Sequence, residues 1–263
     1  MSAGKAAMAA DFASVTEQPC QGATRMQMSM LRTRYGWAAE HAAGKDVLEV
    51  ACGAGLGLGW LAKRARRVEA GDINQENCRI ASATYRGQAN IRVERMDALD
   101  LPFEDSCFDV ALLFEALYYL PDVPTFLAEA RRVLRPGGRL LMATVNSEWS
   151  GFQPSPLHTR YWTAAELVEA LAQAGFVTNV SAAFPQLDAT GIRNRLKTIA
   201  AHYGCMPRTM RGKAVLKRIF YGRLDRIPSR LEPAGSGERM IPAEDAADLT
   251  RYRNLYFEGG RLV

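Results

Sequence analysis

Between residues 45 and 146 the chain switches repeatedly between two hydrophobic patterns. Short strand-like runs stand at 46–51 (DVLEVA), 67–73 (RVEAGDI), 91–98 (IRVERMDA), 108–116 (FDVALLFEA) and 139–146 (RLLMATVN). Between them lie stretches with helical spacing near 56–66, from Asn74 onward and over 123–134. The run DVALLF is apolar throughout, as expected of a parallel strand buried on both faces. Strand and helix in alternation predict a parallel sheet with crossover helices, an α/β architecture.

The flanks extend this core. Residues 23–44 read as an amphipathic helix, and TAAE at 163–166 has the spacing of a capping box that opens another. GFVTNVSAAF (175–184) and RYRNLYFEG (251–259) read as strands. Residues 188–222 read as two basic helices broken near MPRT, and 228–245 has the Pro and Gly density of a loop. The chain has no internal repeat. It divides into a lead-in over 1–22 and a single domain over 23–263, with 186–248 as a basic helical insertion before the last strand.

Composition narrows the class. A chain of 263 residues that is 48% hydrophobic can bury one sizeable core. No apolar run approaches the roughly 18 residues of a membrane span. The alanine-rich start lacks an apolar h-region and reads as a loose or partly helical lead-in rather than a signal peptide. Five scattered cysteines without a CxxC pair suggest neither a disulfide framework nor a zinc site, and a cytoplasmic setting is expected. The formal net charge of +5 is concentrated at 191–230, where Asp225 is the single acid. Such a stretch is a solvated helix face or a surface for phosphate, anionic lipid or nucleic acid.

The stretch VLEVACGAGLGLGWLA (47–62) runs a strand into four glycines, at 53, 55, 57 and 59. A glycine turn between strand and helix lets a ligand approach the main chain and the helix N-terminus. A dinucleotide would require G-x-G-x-x-G. Counted from Gly53 the third position is Leu58, and from Gly55 it is Trp60. The spacing fails in both frames.

Five ordered features instead resemble the class I S-adenosylmethionine-dependent methyltransferases, of the methyltransferase type 11 group. They are Glu49 with GAG at 53–55, Asp72 ending the second strand, Asp97 in ERMDALDLPF, FD opening FDVALLF, and LRPGG at 134–138. The resemblance covers 45–146 most closely. It implies a Rossmann-like, seven-stranded, mostly parallel sheet of order 3-2-1-4-5-7-6 with the last strand antiparallel and helices on both faces. It implies S-adenosyl-L-methionine as cofactor, held by Ala51, Gly53 and Gly55, with Glu49 organising the loop. Asp72 would accept from the ribose hydroxyls and Asp97 from the adenine amino group. The Ala98 N–H would donate to the ring, and Ile73 and Phe114 would sandwich it. Arg34 and Tyr35, on the helix ahead of the first strand, would lie near the methionine end.

Methyl transfer by in-line displacement asks the protein chiefly to orient and desolvate; a hydroxyl acceptor also needs a base. His158, Glu115 and Tyr119 are the candidates, in that order. His41 and His202 are expected to be structural. Tyr118, Asn146, Trp149 and Tyr161 are the candidates for holding the acceptor. No NPPY-like signature follows the fourth strand, and no clustered acids suggest a catalytic metal. The expected activity is O-methylation of a small-molecule or glycan acceptor, phosphorylated or lipid-linked if the basic insertion holds it, by a monomer or homodimer. The alternatives are an RNA or DNA methyltransferase that uses 191–230 to bind phosphates, and a non-catalytic cofactor-binding subunit.

Overall fold

The computed structural model describes residues 12, 15–185, 224–233, 237–246 and 248–262. The two helices expected within 188–222, and with them His202, lie outside these residues. In chain order the elements are β1 (Gly22–Ala23), α1 (Arg25–His41), β2 (Asp46–Val50), α2 (Leu58–Ala62), β3 (Arg67–Asp72), α3 (Gln75–Thr84), β4 (Ile91–Arg95) and β5 (Phe108–Phe114). They continue with α4 (Val123–Val133), β6 (Leu134–Val145), α5 (Ala164–Gln173), β7 (Phe176–Pro185), β8 (Asp225–Arg226), β9 (Ile241–Pro242) and β10 (Tyr252–Arg261).

The helices begin where side chains can take up free N–H groups. Thr24 and Thr163 each form a capping box, with Gln27 and Glu166 respectively. The Asn74 side chain accepts from Glu76 and Asn77, and Asp122 accepts from Thr125 ahead of a proline in the first turn of α4. The helix expected near 56–66 is only five residues long, because Gly57 and Gly59 leave little helix-forming sequence ahead of it.

Eight strands form the main sheet in the order β4-β3-β2-β5-β6-β10-β7-β9. Strands β4, β3, β2, β5 and β6 are parallel neighbours, and β10 runs antiparallel between β6 and β7. The sheet has one strand more than expected: the two-residue β9 pairs with the outer edge of β7. The LRPGG segment, expected as a turn before a strand, lies within β6. The ladder with β5 shifts register between Phe108 and Val110, and Gly137 takes a φ of +76°.

Alternate strand residues face two cores. Val47, Val68, Val110, Leu112 and Tyr256 pack beneath α1, α2 and α3. Leu48, Ala111, Leu113, Met142 and Phe257 pack beneath α4 and α5. This period-two alternation leaves the carboxyl ends of β3, β2, β5 and β6 open along one edge, which is where ligands bind in open α/β sheets. Among the described residues no helix is long and apolar enough to cross a membrane.

Candidate active site

A cavity of about 410 Å³ opens at that edge. Its floor comes from the ends of β2, β3 and β5 and the segment after β4, through Glu49–Ala54, Asp72–Ile73, Met96–Leu99 and Phe114–Ala116. One wall comes from α1 through Gln27, Met30, Leu31, Arg34 and Tyr35; Phe12 and Val15–Glu17 complete it. Part of the expected lead-in is therefore cavity wall.

Two non-glycine residues on the floor have left-handed backbone, Ala51 (φ +56°) after β2 and Glu115 (φ +53°) after β5. Both stand where a strand ends and the chain must turn at the cavity. Such positions cost on the order of 1–3 kcal/mol and persist where surrounding structure imposes them. Glu115 is held by its own N–H to the Ala143 carbonyl at 2.7 Å.

The glycine loop is used as much by the protein as by any ligand. Gly55 has φ +73°, and a Cβ there would stand 2.8 Å from that of Ala81. At Gly57 a Cβ would collide with the Tyr35 ring, so only glycine lets α1 lie this close to the loop. Tyr35 uses that approach to donate its hydroxyl to Glu49 Oε1 at 2.7 Å. Burial pushes the Glu49 carboxyl up to about 7, against the Tyr35 hydrogen bond and the Arg34 charge, which favour ionisation. Its second oxygen is buried without a protein partner.

Asp72 is 7% exposed and already engaged by its own loop. Oδ2 accepts the Gly53 N–H at 2.9 Å, and Oδ1 accepts from Asn74 N–H and Asn77 Nδ2. A carboxylate has about four acceptor sites, so lone pairs remain for a ligand. Asp97 Oδ1 accepts the Leu99 N–H at 3.0 Å and tightens the turn that presents Ala98. Ile73 and Phe114 both line the cavity, but β2 separates their strands by two spacings, about 10 Å. The Phe114 ring packs instead on Trp37 and edge-on to Tyr35.

Beyond β2 the cavity holds a second polar group. Arg34 donates to Glu17 at 2.9 Å and stands 3.5 Å from Glu115. Burial opposes its charge, but Glu17 and Glu115 hold the guanidinium above its ordinary value. Glu115 also accepts from Asn254 Nδ2 at 2.7 Å and from the Tyr118 hydroxyl at 3.3 Å. Burial raises its carboxyl, in opposition to the Arg34 and Arg253 charges. Burial likewise raises Tyr118 and Tyr119.

Five expected site residues do not line this cavity. Gly55 is turned into its own loop, where a Cβ would meet Ala81 and Leu58. His158 is exposed, and its Nδ1 lies 2.5 Å from the Ser155 carbonyl of its own turn. Its ring packs on Tyr161, which stacks on Tyr118 at 4.9 Å and sits one layer behind the wall. Asn146 is 1% exposed and spends its amide on the chain itself, donating to Leu249 and Tyr252 carbonyls and accepting from Glu148. Trp149 packs under the Arg253 guanidinium, 5.4 Å away. His41, expected to be structural, is partly buried against Trp37, and burial lowers its pKa. Residues that local pattern does not reveal are Phe12, Thr16, Glu17 and Arg253, brought in from distant parts of the chain.

Comparison with known proteins agrees with this geometry. Residues 48–142 match a family model described as a methyltransferase domain. A protein of Mycolicibacterium smegmatis named "Probable S-adenosylmethionine-dependent methyltransferase" is 37% identical over 148 residues, 54% of this chain and 56% of that protein. Over about half its length the chain is thus similar to S-adenosylmethionine-dependent methyltransferases. The O-methyltransferase cnsE of Penicillium expansum is 33% identical over 163 residues, 59% of this chain and 58% of that protein. The chain thus spans little more than half the length of these relatives. The solved structure of a cyclase, SpnF, superposes with a TM-score of 0.61 at 19% identity over 94% of this chain and 85% of that one, a likeness of fold.

The cavity fits S-adenosyl-L-methionine. The unpartnered Glu49 oxygen suits an ammonium group, which must donate. Asp72, at the end of β3, has acceptor capacity for paired hydroxyls, and Asp97 with the Ala98 N–H offers an acceptor and a donor side by side.

Proposed function

We propose that this chain transfers a methyl group from S-adenosylmethionine to a hydroxyl of a small-molecule or glycan acceptor. When bound, that cofactor supplies an activated methyl group. The residues we assign to holding it are Arg34, Tyr35, Glu49, Ala51, Gly53, Gly55, Asp72, Ile73, Asp97 and Ala98. The observation that carries the hydroxyl reading is Glu115: a carboxyl on the cavity floor, raised by burial, at the end of β5.

A carboxyl whose pKa is lifted towards the working pH is a better proton acceptor than one in water. Asn254 and Arg34 fix Glu115 Oε1, and Tyr118 orients Oε2. Glu115 would take the acceptor's proton as its oxygen becomes the nucleophile. Tyr119 lines the same wall, with its hydroxyl 2.9 Å from Ser155 Oγ, and is assigned to shaping the acceptor site. The name of the Penicillium relative, an O-methyltransferase, supports the same reaction class.

The test is incubation of the purified chain with methyl-labelled cofactor and extracts of small metabolites and glycans. The expected result is a labelled methyl ether and S-adenosylhomocysteine. Glu115→Gln is expected to lower turnover about 100-fold while leaving cofactor affinity within about twofold. Wild-type turnover by that variant would remove Glu115 as base. Label found only in RNA or DNA would overturn the acceptor class.

A further inference from the structure

Arg253 makes no ion pair among the described residues. It lies at the start of β10 and lines the cavity. No carboxylate of the described residues stands within ion-pairing distance of it, whereas Arg34, in the same cavity, is paired with Glu17 and Glu115. The Arg253 Nε is buried with no hydrogen-bond partner. The guanidinium is held over the Trp149 ring, 5.4 Å from its centre. Stacking of this kind fixes the plane of the fork while leaving its donors unused.

A desolvated donor of this strength calls for an acceptor. The loop and the acid assigned to the adenosine half of the cofactor lie towards the other end of the sheet edge. In the order β3-β2-β5-β6-β10, Arg253 is three strand spacings from β2 and four from β3, about 14 and 19 Å along the sheet edge. Glu115, the assigned base, lies between the two ends and feels the Arg253 charge. Phe12, Tyr118 and Tyr119 form the aromatic wall beside them, with Phe12 edge-on to Tyr119 at 5.4 Å.

We infer that Arg253 anchors an oxyanion, carboxylate or phosphate, carried by an acceptor whose ring lies against Phe12, Tyr118 and Tyr119. A bidentate guanidinium–oxyanion pair would fix the acceptor's orientation and set its hydroxyl towards Glu115. The inference rests on the methyl-transfer reading for calling the bound molecule an acceptor. The anion site itself can be tested without turnover.

The experiment measures thermal midpoints of the S-adenosylhomocysteine-saturated protein with benzoate, phenyl phosphate, benzamide and benzyl alcohol, each titrated to the same concentration. The expected result is a rise with one or both anions and little or none with the two neutral molecules. Benzoate against phenyl phosphate distinguishes carboxylate from phosphate. Arg253→Met, which keeps an apolar stem over Trp149, is expected to abolish the anion-specific rise, and Arg253→Lys to retain part of it. Inorganic phosphate separates a bare anion effect from one that needs the ring. Equal shifts with benzoate and benzamide, no shift with any probe, or an anion shift unchanged in Arg253→Met would each overturn the assignment. Calorimetry with S-adenosylhomocysteine alone tests the cofactor reading separately. Failure there, with the anion effect intact, would sink methyl transfer and leave the anion site standing.

Discussion

Glu49 occupies a place where a carboxylate is costly. Its carboxyl has an ordinary value of 4.5, and in the folded protein burial moves it to about 7. Below pH 4.5 it is protonated in both states and folding is unaffected. As pH rises from 4.5 to 7 the unfolded chain releases its proton first, so stability falls, by at most about 1.4 kcal/mol per pH unit. Above 7 the loss is complete. The neighbours that face Glu49 are Tyr35 and Arg34 from α1, and Cys52 from the loop, whose thiol is pushed up by burial and by Glu49 itself. We predict that Glu49→Gln flattens this slope, making the ligand-free protein more stable at pH 7.5 by about 1–3 kcal/mol while weakening cofactor affinity. Denaturant melts across pH 4.5–7.5 and calorimetry with S-adenosylhomocysteine provide the check. Parallel slopes in the two proteins would show that Glu49 is not the titrating group. Glu49, Asp72 and Asp97 were legible in the sequence because each sits at a strand end within a local motif. Glu17 and Arg253 were not, because what brings them to the cavity is a tertiary contact with no local pattern.

At the level of elements, the alternation of periods located every long strand and helix described; the capping box expected at 163–166 is formed, and the helices expected from Asn74 and within 23–44 start close to their expected places. What the pattern could not show was pairing. Two-residue strands such as β1 and β9 contain too few positions to carry a period, and exist because a neighbouring edge offers unpaired groups. Asn146 illustrates the same difficulty. A polar residue at the end of a strand beside an expected site reads as a ligand, yet its amide ties the end of β6 to the turn that opens β10. Removing it leaves two carbonyls and one N–H without a side-chain partner, at about 1–3 kcal/mol for each buried group left unsatisfied. Asn146→Ala is therefore expected to lower stability by about 2–4 kcal/mol while leaving cofactor affinity within about twofold. Equilibrium unfolding alongside a binding isotherm separates the two effects. A large loss of affinity at unchanged stability would return Asn146 to the site.

For the whole molecule, the sheet edge gives the cavity its floor, but segments from opposite ends of the chain give it walls. Thr16 packs near Gly53, its Cγ2 standing 2.8 Å from where a Cβ would be, and Gln18 donates to Asn77 at 3.0 Å. Glu17 is held by Arg34, and Phe12 by Tyr119. A ligand between floor and wall must therefore order both. At a hundredfold excess over Kd, ligand linkage amounts to about 2.7 kcal/mol, enough to slow local opening wherever the ligand touches. Amide hydrogen exchange with S-adenosylhomocysteine is expected to show protection at 51–57, 72–74 and 97–99, and equally at 15–18 and in the first turns of α1. NAD is expected to protect neither, because the loop lacks the third glycine of the dinucleotide pattern. Protection limited to the floor would place the ligand away from Glu17 and Arg34. Protection by NAD at the same segments would overturn the cofactor assignment itself, since a single loop at 53–59 cannot serve as evidence for one nucleotide while gripping the other.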